Sequence, residues 1–224
     1  MIVDDVPEAF AGTVSEAFAA RPGPRFTLVL SGGPTAKLCY ERLSTVSTIT
    51  WPSVDIYMGD ERVVPPDDPD ANQGLVRDAL VDRVGTVGSF TPMPTTVPVE
   101  EAVAQYQRTL AAVLAGPGID LIHLGLGPDG HTASLFPNAP TLDAGPDELV
   151  VATEDPNGRN AHPRLSVTLP VINAARCAVF TVSGASKRNA IAAVRRGDDI
   201  PAARVKAERV VWLVDAEAAA PPDS

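Results

Sequence analysis

The sequence predicts an α/β domain built on a mostly parallel sheet, with helices covering both faces. Three observations predict it. Short apolar runs of β character alternate with longer stretches whose apolar residues recur every three to four positions. Several runs, such as Ile119-Asp120-Leu121-Ile122-His123-Leu124, are apolar almost throughout, as strands buried on both faces are. Glycine and proline punctuate the run ends. Strands alternating with helices imply right-handed crossovers, and therefore parallel neighbours.

In order, Phe26–Leu30 reads as a strand that runs into Ser31-Gly32-Gly33-Pro34-Thr35 and then a helix. Val54–Met58 reads as a second strand, followed by Gly59-Asp60-Glu61-Arg62-Val63-Val64-Pro65. Residues 71–84 place Leu75, Val76, Ala79, Leu80 and Val84 on one helical face, and residues 100–114 do so with Val103, Tyr106, Leu110, Val113 and Leu114. Between them Thr91–Pro98 is a loop. Ile119–Leu124, Leu149–Ala152, Leu165–Leu169, Ala178–Val182 and Val210–Val214 read as further strands. A helix over 186–196 turns Ala190, Ile191 and Val194 inward and stops at Gly197, a residue suited to end it. The tail, 216–224, is expected to fray.

The 224 residues suit one domain spanning 1–224, and 45% hydrophobic content supplies its core. Eighteen basic against 28 acidic residues leave a net charge of −10, which argues against a nucleic-acid partner. A small phosphorylated ligand stays compatible, because it needs only two or three local cations. No apolar run approaches the roughly 20 residues of a membrane span. The opening MIVDDVPEAF lacks a basic leader region, so a cytoplasmic location is expected. Cys39 and Cys177 sit among apolar residues and read as buried free thiols. A monomer is the expected state.

Four stretches carry candidate chemistry, and each follows a strand. Gly32 and Gly33 let backbone N–H groups approach an anion at a helix start, although an ordinary strand-to-helix turn would look the same. Asp60, Glu61 and Arg62 are charged where a buried strand ends, and Arg62 offers a fork suited to phosphate or carboxylate. In Gly125-Leu126-Gly127-Pro128-Asp129-Gly130-His131, the histidine suits a general base and Asp129 an orienting partner. Lys187 opens a helix against its dipole and is better placed with an anion nearby, and Arg164 is a further cation. His123 lies within a strand and reads as core; His162 sits in a polar loop, at the surface or a site rim. The three histidines lack metal-ligand spacing, so neither a metal nor an organic cofactor is expected. Parallel strands deliver all these loops to one sheet edge. From the residues alone, the chain is an α/β enzyme or binder for a small anionic polyol.

The run Gly125-Leu-Gly-Pro-Asp129-Gly-His131-Thr-Ala-Ser-Leu-Phe-Pro137 closely resembles the signature of 6-phosphogluconolactonases. Ser31–Gly33, Asp60-Glu61-Arg62 with Val64-Pro65, Arg164–Pro170, Ser183–Lys187 and Trp212–Asp215 resemble that family in the same order along the chain. The resemblance implies a Rossmann-like three-layer α/β/α sandwich. It also implies hydrolysis of 6-phospho-D-glucono-1,5-lactone to 6-phosphogluconate, the second step of the oxidative pentose phosphate pathway. On that reading His131 activates water, Asp129 fixes the imidazole or holds a substrate hydroxyl, and Gly32 and Gly33 lie against the substrate. Arg62, Lys187 and Arg164 bind phosphate, with Asp60 lining the site. Two departures stand out: Pro34 where the family usually has Ser or Thr, and Ala71-Asn72 where Ser-Asn is common.

Ser31 and Ser134 are weaker nucleophile candidates, since neither lies in G-x-S-x-G. Two rival readings exist. An amino-sugar phosphate deaminase or isomerase shares Asp-Gly-His but carries an acid shortly after it, where this chain has Ser134-Leu135-Phe136-Pro137. A non-catalytic sugar-phosphate-binding domain, as in some regulators, would be expected to follow a basic helix-turn-helix segment, and none precedes the first strand.

Overall fold

The strand-forming runs find their partners in two sheets. The structure, a computed structural model, describes residues 1–156, 158 and 162–222. Helix α1 (Val6–Ala19) precedes β1 (Phe26–Leu30), α2 (Pro34–Leu43) and β2 (Val54–Met58). After β3 (Asp60–Arg62), α3 (Asn72–Val76) continues through a π-helical turn, Arg77–Val81, into α4 (Asp82–Val84). Next come β4 (Ser89–Thr91), α5 (Val99–Ala115), β5 (Leu121–Leu124), β6 (Val150–Thr153), β7 (Arg164–Val167) and α6 (Leu169–Asn173). The chain closes with β8 (Cys177–Val182), α7 (Arg188–Arg196), β9 (Arg209–Val214) and α8 (Ala216–Ala219).

Six strands form a wholly parallel sheet in the order β4-β2-β1-β5-β8-β9, flanked by helices. β1, β5 and β8 are buried at every residue, which accounts for their unbroken apolar character. The chain winds from β1 to one edge and then returns to β5, so its direction switches between β1 and β5. Ligands in such sheets bind outside the carboxyl ends of the strands at that point. No described helix is long and apolar enough to cross a membrane.

Two expected strands, Leu149–Ala152 and Leu165–Leu169, exist but do not join this sheet. As β6 and β7 they pair antiparallel with each other and with β3, in a separate sheet ordered β3-β7-β6. Gly59 is the junction: its N–H donates to the Leu30 carbonyl at 2.7 Å and its carbonyl accepts from Val167 N–H at 2.8 Å. The chain thus leaves one sheet and enters the other across a single residue. Leu169 belongs to α6 and not to the strand, because Thr168 and Pro170 start a helix there. The tail also differs from expectation. Asp215 caps α8 by accepting from Ala218 N–H at 2.7 Å, and Ala218 is fully buried. Residues 223–224 of that tail lie outside the described residues. Cys39 and Cys177 are free and buried, as expected.

Candidate active site

The loop after β1 is held by its neighbours before any ligand arrives. Tyr40 donates its hydroxyl to the Ser31 carbonyl at 2.7 Å and accepts from Ser31 N–H at 3.0 Å. Ser31 Oγ donates to the His123 carbonyl at 2.9 Å. Gly33 has φ +110°, a conformation that favours glycine, and α2 begins at once with Pro34. Pro34 brings no N–H to this turn.

His123 is buried, as expected, and it also ties β5 to helix α2 and strand β8. Its Nδ1 lies 2.7 Å from Tyr40 Oη and its Nε2 lies 2.8 Å from Thr181 Oγ1. Because the tyrosine proton goes to Ser31, the imidazole carries its own proton on Nδ1 and accepts at Nε2. Burial pushes its pKa down to about 3, so it stays neutral.

The loop after β5 presents the second histidine. Gly127 N–H donates to the His131 carbonyl at 2.8 Å and Gly130 N–H to the Gly127 carbonyl at 3.0 Å, closing a tight turn. Within it His131 Nδ1 lies 2.6 Å from Asp129 Oδ1, which also accepts from the His131 backbone N–H at 3.1 Å. Partial burial pushes the Asp129 carboxyl up, but the His131 hydrogen bond and charge, with backbone donors, outweigh it and bring the pKa to about 2. An ionised carboxylate only accepts, so Nδ1 donates and the neutral ring keeps its lone pair on Nε2. The Phe136 ring packs 5.0 Å away, and Gly127 is bare where the imidazole lies: a Cβ there would stand 2.1 Å from Nδ1.

The small sheet supplies two cations, and the turn after β8 a third. Arg62 and Arg164 are direct cross-strand partners, an arrangement that is unfavourable for like charges unless an anion joins them. Arg62 Nη1 donates to the Asp70 carbonyl at 2.5 Å. Arg164, 5% exposed, donates to Ser134 Oγ at 3.2 Å and stands 3.8 Å from Asp60 Oδ2. Ser134 in turn donates to Asp60 at 2.7 Å. Burial lowers the Arg164 pKa, against the pull of Asp60. Half-buried Lys187 lies in the short turn Ala185–Lys187 after β8; burial lowers its pKa and the charge of Asp129 raises it.

A cavity of about 220 Å³ collects these groups at the β1/β5 switch point. Gly32, Gly33, Asp60, Arg62, His131, Arg164 and Lys187 all line it, as do Ser31, Asn72, His123 and Thr181. Asp129 does not line it. Its Oδ1 lies 2.6 Å from the imidazole, its charge acts on Lys187, and it faces a neighbouring depression with Thr153 and Glu154. His162 lies outside the cavity, 3.1 Å from Asp70. Ser134 is fully buried and donates to Asp60, and the Ser31 hydroxyl donates to the His123 backbone carbonyl. Sequence reasoning assigned no role to Asn72, although its place between two charged runs and a helix marked it. Among the described residues no group of three or more His, Cys, Asp or Glu is placed to hold a metal ion. The cavity thus offers a lone pair at one wall and three cations to anchor an anion.

Residues 1–212 match the family described as glucosamine-6-phosphate isomerases/6-phosphogluconolactonase. A protein of Synechocystis sp. named 6-phosphogluconolactonase is 41% identical over 204 residues, covering 86% of this chain and 82% of its own. The crystal structure of 6-phosphogluconolactonase from Thermotoga maritima superposes with a TM-score of 0.86 at 28% identity, covering 96% of this chain and 98% of that one. A monomeric glucosamine-6-phosphate deaminase superposes at 0.82 with 19% identity, covering 98% of both chains, a likeness of fold alone.

Proposed function

The chain belongs to the glucosamine-6-phosphate isomerase/6-phosphogluconolactonase family, and from that premise we propose that it hydrolyses 6-phospho-D-glucono-1,5-lactone to 6-phospho-D-gluconate, within the oxidative pentose phosphate pathway. The observation that carries the choice is the Asp129-held His131 on a cavity that also holds Arg62, Arg164 and Lys187. One wall suits proton transfer and the other suits a phosphate.

In the proposed reaction, Nε2 of His131 takes a proton from a water whose oxygen attacks the lactone C1 carbonyl. The C1–ring oxygen bond then breaks, and the imidazolium returns the proton to the departing ring oxygen. Asp129 holds the imidazole and stabilises its charged form. General base catalysis of this kind contributes about 10²–10⁴-fold. The phosphate joins Arg62 and Arg164, relieving their mutual repulsion, and Lys187 adds a third cation. Anchoring the far end of the substrate brings C1 to the base in register. N–H groups of the Gly32-Gly33 turn lie against the substrate.

Residues 132–137 contain no carboxylate to open an amino-sugar ring, which disfavours deamination. The test is His131→Ala assayed with freshly generated lactone, beside ammonia release from glucosamine 6-phosphate. A fall of about 10²-fold or more is expected for lactone hydrolysis, with no ammonia from either protein. A folded variant at the parent rate would refute the base, and ammonia release by the parent would refute the substrate.

A further inference from the structure

Ser134 follows His131 closely in the same loop, and the turn between them is fixed. The Thr132 hydroxyl donates to the Gly125 carbonyl at 2.9 Å, and Leu135 N–H donates to the Thr132 carbonyl at 2.9 Å. Ser134 then docks this loop on the small sheet. Its N–H donates to Ser166 Oγ of β7 at 3.1 Å. Its hydroxyl accepts from Arg164 Nη1 at 3.2 Å and donates to Asp60 Oδ2 at 2.7 Å. A hydroxyl brings one proton and two lone pairs, so it can receive from the guanidinium and give to the carboxylate at once. Ser134 is fully buried, so it acts on a substrate only through its neighbours. Arg164, by contrast, lines the cavity.

The hydroxyl also keeps the two ions apart. Arg164 Nη1 stands 3.8 Å from Asp60 Oδ2, whereas a direct charge-assisted bond closes to about 2.8 Å. Without the hydroxyl the guanidinium is free to close on Asp60 by about 1 Å, away from its present place. We infer that Ser134 is a positioning residue for lactone hydrolysis: by holding Arg164 off Asp60, it fixes the phosphate anchor relative to His131 and so sets C1 against Nε2. The inference rests on the lactonase reading. Anchor and base belong to different elements, β7 and the loop after β5, and Ser134 bonds one to the other. A misplacement of about 1 Å at such an anchor can cost on the order of 10²-fold.

The experiment measures kcat and KM of the unaltered chain, Ser134→Ala and Ser134→Cys on fresh 6-phospho-D-glucono-1,5-lactone. The same proteins are assayed on glucono-1,5-lactone, which has no phosphate to anchor. A thiol fills the place of the hydroxyl but accepts poorly, so Ser134→Cys removes the bond without leaving a void. Circular dichroism checks folding. Both variants should lose about tenfold or more in kcat on the phosphorylated lactone. On the unphosphorylated one they should keep nearly the parent rate, because the turn that holds His131 is intact. Ser134→Ala combined with Arg164→Gln should be no slower than Arg164→Gln alone, since the serine acts through the arginine. Equal losses on both lactones would mean that Ser134 only supports the loop. A rise in KM at constant kcat would mean that it aids binding without setting register. Either result, or losses that multiply in the double variant, would overturn the inference and leave the lactonase reading intact. No activity of the unaltered protein on fresh lactone would instead overturn that reading, and this inference with it.

Discussion

Gly127→Ala should disable the enzyme without unfolding it. Gly127 is not among the glycines of positive φ, so alanine fits the backbone and trims the freedom of the unfolded chain. The new methyl would stand 2.1 Å from His131 Nδ1, 2.3 Å from Cε1 and 2.6 Å from Cγ. An ordinary heavy-atom contact is about 3.5 Å, so the ring must recede by roughly 1.4 Å or swing out. Neither leaves the 2.6 Å bond to Asp129 intact. A displacement of about 1 Å can cost on the order of 10²-fold, so kcat should fall by about that factor or more. KM should change little, because the cations are untouched. Initial rates on freshly generated lactone, corrected for spontaneous opening, measure this. Gly127→Ala combined with His131→Ala should be no slower than His131→Ala alone, since both remove one function. A kcat for Gly127→Ala near the parent value, or losses that multiply in the double variant, would refute the reasoning.

Lys187→Ala should raise KM for the phosphorylated lactone, lowering kcat/KM by about 10-fold or more, the worth of a charge-assisted bond. Glucono-1,5-lactone without phosphate should be hydrolysed almost as before, and an equal loss on both substrates would remove Lys187 from the phosphate site. Stability should respond to pH through Glu61. Burial raises its pKa from 4.5 to about 7 despite three backbone donors. The folded chain therefore holds a proton that the unfolded chain releases. This contribution to stability is complete below about pH 4.5 and is lost as pH rises through 7, a span worth about 3 kcal/mol. Urea unfolding at pH 5 and pH 8 should show that slope in the parent and a flatter one in Glu61→Gln; parallel profiles would argue against it.

Much of the scaffold was legible because local chemistry and tertiary environment agree. The runs 26–30 and 54–58 coincide with β1 and β2, and the period over 100–114 marks α5 within a residue at each end. Helix α1 was equally legible and went unread: Asp5 caps it, Pro7 starts it, and Val6, Phe10, Val14 and Phe18 form its buried stripe. β3 and β4 had no such signal. Three residues are too few for a period, and Asp60–Arg62 forms a strand only because β7 lies beside it.

The site divides along the same line. Residue type and position after a strand marked Gly32, Gly33, Asp60, Arg62, Asp129, His131 and Lys187, because parallel strands carry such loops to one edge; Arg164 was marked only as a cation just ahead of a strand, and it opens antiparallel β7. By itself the sequence determined the α/β class, the reactive turn and the supply of cations, all properties of short windows of chain. Only the tertiary structure decided that 150–153 and 164–167 form a second sheet, that Arg62 faces Arg164, and that Asp129 bonds the His131 imidazole. It alone showed Ser134 bonded between Asp60 and Arg164. Those are relations between residues far apart in the chain, set by pairing register and packing, and no local pattern encodes which distant strand becomes a neighbour.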